Sequence, residues 1–172
     1  LATHAARSRP GACLFADVPA GPFALPTAAG VKLHRYLVVP GHWRSTAAFA
    51  GSDGPLLHRC RFEAAAPAGG RRAWLTFDGL FYQGDVWLDG GYVGDTEGYF
   101  FPHTFEVTDA LRERSEHLLG VEVSCHPQRD RASKRNITGV FQDWNCGDPD
   151  ANPGGIWRPV LVERTGPVRI RH

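Results

Sequence analysis

The chain has 172 residues, a hydrophobic share of 42% and a formal net charge of +1. That is one domain's worth of sequence, with enough apolar residues to bury a core. The near-neutral balance leaves no basic footprint for nucleic acid, and no run of about 18 apolar residues exists to form a membrane helix, so neither is expected as a partner.

Residues 1–30 are rich in Ala, Gly and Pro and keep no sustained period. They read as an irregular N-terminal arm with one short strand near 13–16. The chain begins at Leu1, has no methionine and shows no charged-then-apolar leader, so an excised piece of a longer protein is expected. From residue 31 the pattern changes, and 31–172 reads as one β domain. Residues 32–39 are β-prone and stop at the Pro40-Gly41 turn. Residues 56–63 form the next strand. In 72–77, Ala73, Leu75 and Phe77 share one face while Trp74 and Thr76 take the other. Residues 85–88 and 92–95 flank Asp89-Gly90-Gly91, a hairpin signal. Phe101, His103, Phe105 and Val107 alternate on one face. Thr108 and Asp109 are placed to cap a single helical turn through residue 114. Leu119, Val121 and Val123 make another inward face, and 157–164 and 168–171 close the chain as strands.

Many short strands, Gly/Pro/Asp turns and almost no helix predict an all-β fold: an antiparallel two-sheet β-sandwich of jelly-roll type. A long crossover accommodates the irregular stretch 125–155. The four cysteines, at 13, 60, 125 and 146, form no CxxC pair. Cys60 is expected as a buried thiol in a strand. The alternative for the others is a Cys125–Cys146 bridge across the loop. Lysine occurs only at 32 and 134, which hints at a GC-rich bacterial coding bias. The eight histidines make no HxH, HxxH or HExxH spacing, so no metal ligands are assigned. No nucleophile-elbow turn or phosphate-cradling glycine loop occurs. Asn136-Ile-Thr138 has the form of a glycosylation sequon and is read as accidental.

The informative segment is 130–156, which is long, polar and irregular. Sugar recognition needs planar hydrogen-bonding groups for hydroxyls and an aromatic face for the C–H side of the ring. Asp143, Trp144, Asn145, Asp148, Asp150 and Asn152 supply that set. The alternative is that Trp144 and Phe141 pack the loop on the sandwich while the acids cap turns at Pro149 and Pro153. Arg129, Arg131, Lys134 and Arg135 either meet an acidic sugar or form a solvated face. The aromatic group Trp87, Tyr92, Tyr99, Phe100 and Phe101 is expected to pack in the core or at its edge.

Four stretches carry a resemblance when taken together and in order: Trp74-Leu-Thr-Phe-Asp-Gly79, Asp85-Val-Trp-Leu-Asp-Gly-Gly-Tyr-Val-Gly94, residues 97–108, and Gly154-Gly-Ile-Trp-Arg-Pro-Val-Leu-Val162. They resemble the N-terminal sugar-binding, galactose-binding-like domain of glycoside hydrolase family 2, the group of β-galactosidases, β-glucuronidases and β-mannosidases. The resemblance covers about residues 31–172. It implies a sandwich that accompanies a C-terminal catalytic barrel of the same polypeptide and binds carbohydrate with it. Retaining hydrolysis needs two carboxylates about 5 Å apart. In the family both are glutamates of the barrel, and the acid/base follows an asparagine. No Asn-Glu pair occurs here, so no catalytic residue is assigned and no hydrolysis by this chain alone is expected.

The resemblance also implies that the loop before Gly154 reaches the barrel's pocket, leaving open which of Asp148, Asp150 and Asn152 contacts sugar. It places His103 at a packing position. It implies no cofactor, although sandwiches of this type often hold a structural calcium ion, which the turn carboxylates permit. Two other readings stand beside it: an autonomous carbohydrate-binding module, and a purely structural or oligomerisation domain.

Overall fold

The computed structural model describes residues 12–17, 35–52, 54–98, 100–125 and 154–170, with backbone alone for 12–17, 35–38 and 48. Among these are strands β1 (Ala12–Asp17), β2 (Arg35–Val38), β3 (Leu56–Glu63), β4 (Arg72–Phe77), β5 (Gln83–Leu88), β6 (Gly91–Glu97) and β7 (His103–Glu106). A helical turn α1 (Ala110–Glu113) follows, then β8 (Glu116–Ser124) and β9 (Val160–Thr165). The larger sheet runs β2-β1-β3-β8-β5-β6 and the smaller β7-β4-β9. Every pairing is antiparallel. The strand expected near 13–16 is therefore β1, and it lies between β2 and β3. No helix among the described residues is long and apolar enough to cross a membrane.

The two-residue period places the core. Ala73, Leu75 and Phe77 of β4 meet Val86 and Leu88 of β5 and Leu119, Val121 and Val123 of β8 in one buried cluster. Each buried Leu, Val or Phe side chain contributes roughly 1.5–3 kcal/mol. Asp89 (φ 53) and Gly90 (φ 89) form the two-residue β5–β6 loop, both in the left-handed region that matches hairpin twist. Asp89 also accepts the Leu118 N–H at 2.8 Å and the His117 Nδ1–H at 2.7 Å, tying the hairpin to β8.

Several local expectations need correction. Asp109 precedes α1 but makes no side-chain cap bond. Its carboxylate instead accepts from Arg112 at 3.1 Å, and buried Leu111 anchors the turn from below. Thr108 faces the other way: its hydroxyl accepts the Ala73 N–H at 3.0 Å and donates to Glu106 Oε1 at 2.9 Å. The last strand starts only after Pro159 and ends at Thr165. Beyond it, Pro167 offers no N–H to a ladder, and Val168 and Ile170 stand exposed. Cys60 is half-buried, with its Sγ 3.5 Å from the Arg61 carbonyl. Cys125 is buried, while Cys146 lies outside the described residues. Phe101 precedes β7 and is exposed, so the inward alternation begins only within that strand.

Candidate functional site

Register brings several connections to one end of the sandwich. Ser124, the last residue of β8, lies opposite Gln83 at the start of β5, and Gln83 lies opposite Glu97 at the end of β6. In the smaller sheet, Phe77 is flanked by His103 and Val160. The segment 126–153 leaves from Cys125 and returns at Gly154.

The return is tightly bound. The Gly154 carbonyl accepts the Trp43 N–H at 2.9 Å, and the Ile156 carbonyl accepts the Gly41 N–H at 2.8 Å. Gly155 and Phe81 exchange two backbone bonds, at 2.9 and 3.2 Å. Trp43, Phe81 and Ile156 are all buried around this knot. A side chain at Gly154 would enter the Trp43 ring, and one at Gly155 (φ +136) would lie 2.8 Å from the Gly41 carbonyl oxygen. The sequence marked these glycines only as preceding a strand.

Asp143, Trp144, Asn145, Asp148, Asp150 and Asn152 lie outside the described residues, as do Phe141, Arg129, Arg131, Lys134 and Arg135. The structure thus places the end of their segment but not the side chains. Beside that end stand planar groups that periodicity did not single out. His42 stacks on Trp157, with centroids 6.3 Å apart and planes 6° from parallel. The Arg158 guanidinium lies 5.3 Å from the Trp157 ring centroid. The Tyr82 hydroxyl donates to Glu97 at 3.2 Å. His103 Nε2 lies 3.0 Å from the Gly98 carbonyl and its ring packs on Phe101, in keeping with a packing role.

Phe100 and Phe101 are 52% and 56% exposed, which corrects the expectation that they pack. They occupy the turn between β6 and β7, where strand alternation no longer directs side chains inward. Tyr92 is exposed too, and Trp87 is half-buried against it at 5.6 Å. Both belong to the outer face of the larger sheet. Tyr99 lies outside the described residues.

That outer face carries an acidic row. Asp85 on β5 is directly opposite Glu122 on β8 and Asp95 on β6. Burial, and then the Asp85 charge, push the Glu122 carboxyl above the usual carboxylate range. Burial, then the 2.9 Å hydrogen bond to Asp85, push the Tyr92 phenol up to about 12. Like charges directly opposite on a sheet cost about 0.2–1 kcal/mol. Glu122→Gln is therefore expected to raise the thermal midpoint at neutral pH by about 1–4 °C. A lower midpoint would mean that the Glu122 charge is balanced after all.

Two other strand glutamates form ion pairs. Glu106 pairs with Arg72 at 3.0 Å, and Glu163 pairs with Arg169 at 3.2 Å while accepting from Thr76. Among the described residues no three His, Cys, Asp or Glu side chains are placed to hold a metal ion.

The profile of the glycosyl hydrolase 2 galactose-binding domain-like family matches residues 52–160. The chain belongs to this family. Its relatives include a β-mannosidase B of Aspergillus flavus, 29% identical over 131 residues, covering 65% of this chain and 15% of that protein. An exo-β-D-glucosaminidase of Streptomyces avermitilis is 32% identical over 103 residues, covering 58% of this chain and 11% of that protein. The family 2 domain thus spans a small fraction of the relatives it matches. Their fungal and bacterial sources give no support to the bacterial origin suggested by the scarcity of lysine. Among solved structures, a family 2 β-galacturonidase of Eisenbergiella tayi bound to galacturonate aligns with a TM-score of 0.63 at 21% identity, over 94% of this chain and 24% of that one. A β-glucuronidase of Faecalibacterium prausnitzii aligns with a TM-score of 0.63 at 19% identity, over 96% of this chain and 31% of that one. At such identities the likeness shows the shared sandwich fold.

Proposed function

We propose that this chain is the accessory sugar-binding sandwich of a family 2 glycoside hydrolase. It packs on a catalytic barrel elsewhere in the same polypeptide and lends residues 143–152 to the pocket for a β-glycoside. It holds no hydrolytic pair of its own. The observation that carries this reading is the knot at Gly154–Ile156. Backbone bonds to Gly41, Trp43 and Phe81 fix the return of the 126–153 segment at the end of the sandwich where Phe100 and Phe101 are exposed. A recognition loop acts with precision only when its attachment is rigid, and exposed aromatic surface marks a place of contact. Asp143, Trp144, Asn145, Asp148, Asp150 and Asn152 are the side chains proposed to meet the sugar. The relatives' names span mannosides, glucosaminides and glucuronides, so the substrate class is stated as a β-glycoside.

The test is kinetic and uses the full-length enzyme. Removing residues 143–152 is expected to raise KM or lower kcat by at least about tenfold, the scale of one or two lost hydrogen bonds to substrate. Unchanged kinetics would reject the proposed loop role. Turnover of an aryl glycoside by the 172-residue chain alone would reject the non-catalytic role.

A further inference from the structure

At the hairpin end of the sandwich, remote from the Gly154 knot, Arg72 opens β4, Glu106 closes β7 and Gly91 opens β6. Two adjoining concavities lie here, of about 540 and 520 Å³, and both are lined by Arg72, Glu106, Thr108 and Asp109. Both open widely to solvent, so a ligand here would lie along a surface groove rather than in an enclosed pocket.

The wall they share is preorganised. The Arg72 guanidinium lies 5.6 Å from the Trp74 ring centroid, and its Nε forms an ion pair with Glu106 Oε1 at 3.0 Å. The Thr108 hydroxyl donates to that same oxygen at 2.9 Å and is itself held by the Ala73 N–H at 3.0 Å. Among the described residues the two terminal nitrogens of Arg72 and the Oε2 of Glu106 make no hydrogen bond, on side chains 45% and 36% exposed. A pair of N–H donors therefore stands beside a carboxylate acceptor that Thr108 holds in place. One sugar hydroxyl can accept from the first while donating to the second. The larger concavity adds apolar wall from Leu88, Val93 and Val107, and Tyr92 stands at it with 57% of its surface exposed.

Charge narrows the ligand. In the larger concavity Arg72 is offset by Glu106, and Asp109 is offset by Arg112 at 3.1 Å, so the charges on this wall are balanced. A ligand with its own carboxylate gains no net attraction there, whereas neutral hydroxyls find both a donor and an acceptor. We propose that the groove formed by Arg72, Glu106, Thr108, Asp109, Val93 and Tyr92 is a second, non-catalytic binding site for a neutral oligosaccharide, independent of the 143–152 segment.

The experiment is protein-observed NMR on the isotopically labelled 172-residue chain. It is titrated with β-1,4-mannotetraose, cellotetraose and trigalacturonate up to tens of millimolar, where weak lone sites saturate. At least one neutral tetraose should shift the amides of Arg72, Val93 and residues 107–110 saturably. Glu106→Gln should weaken that binding at least tenfold. Gly91→Trp, which fills the concavity without touching the ion pair, should abolish it while leaving the fold intact. The same shifts should survive deletion of 143–152, so failure of the loop reading and failure of this one are separable. Three results would overturn the proposal: no shift of these amides with either tetraose, tighter binding of trigalacturonate, or full affinity in both variants.

Discussion

Replacing Gly155 by alanine is expected to destabilise the domain by on the order of 3 kcal/mol, and to do so through the backbone rather than through a lost contact. Gly155 has φ +136, a region that side-chain-bearing residues rarely adopt. An added Cβ would also sit 2.8 Å from the Gly41 carbonyl and 3.2 Å from the Trp43 nitrogen. Neither neighbour can rotate away, because both belong to main chain. Gly41 and Trp43 are themselves bonded to Ile156 and Gly154, so relief of the clash breaks one or both of those bonds. Strain at such a φ costs about 1–3 kcal/mol, and overpacking a further 1–3 kcal/mol. Urea unfolding of parent and Gly155→Ala chains measures the difference directly. A loss smaller than about 1 kcal/mol would show that the knot is loose and that the loop is not rigidly attached. In the full-length glycoside hydrolase proposed above, the same substitution should reproduce part of the kinetic defect expected of the 143–152 deletion.

The requirement at Gly155 shows where reading the sequence stops. The inward faces of β4 and β8 were legible because one buried face imposes a two-residue period on Ala73, Leu75 and Phe77 and on Leu119, Val121 and Val123. The β5–β6 hairpin was legible because Asp and Gly are the residues that accept a left-handed turn. The family was legible from four stretches in order, and the profile match over 52–160 bears it out. The Gly154-Gly155 constraint had no local signature. Its cause is Trp43, which arrives from a distant part of the chain. Phe100 and Phe101 read as packed in the core or at its edge because strand alternation was extended to them, yet they lie exposed in the turn between β6 and β7. The Arg72–Glu106–Thr108 wall was also hidden. It exists because the β4–β7 register sets Trp74 opposite Glu106, and register is a property of pairing rather than of either strand.

Lowering the pH from 6.5 to about 4 is expected to remove on the order of 3 kcal/mol of stability through one side chain, His58. It lies on β3 within the sandwich, 2% exposed, with Nδ1 3.1 Å from the Leu56 carbonyl. Burial dominates its titration and pushes its pKa from 6.5 down to about 4, against a smaller upward pull from backbone hydrogen bonds to Leu56 and Val121. Above pH 6.5 the imidazole is neutral in both folded and unfolded chains, and His58 adds no pH dependence. Between 6.5 and 4 the unfolded chain takes up a proton that the folded chain refuses, so stability falls by about 1.4 kcal/mol per pH unit. Below 4 both forms are protonated and the loss levels off. His58→Leu, similar in bulk and without a titrating group, removes this contribution. The pH dependence common to both chains cancels in their difference, so that difference is the informative quantity. Urea unfolding at pH 7 and pH 4.5 should show the parent losing about 2–3 kcal/mol more than the variant. Equal losses would mean that His58 is hydrated or already protonated in the folded state, and that the interior between the sheets is wetter than its apolar lining implies.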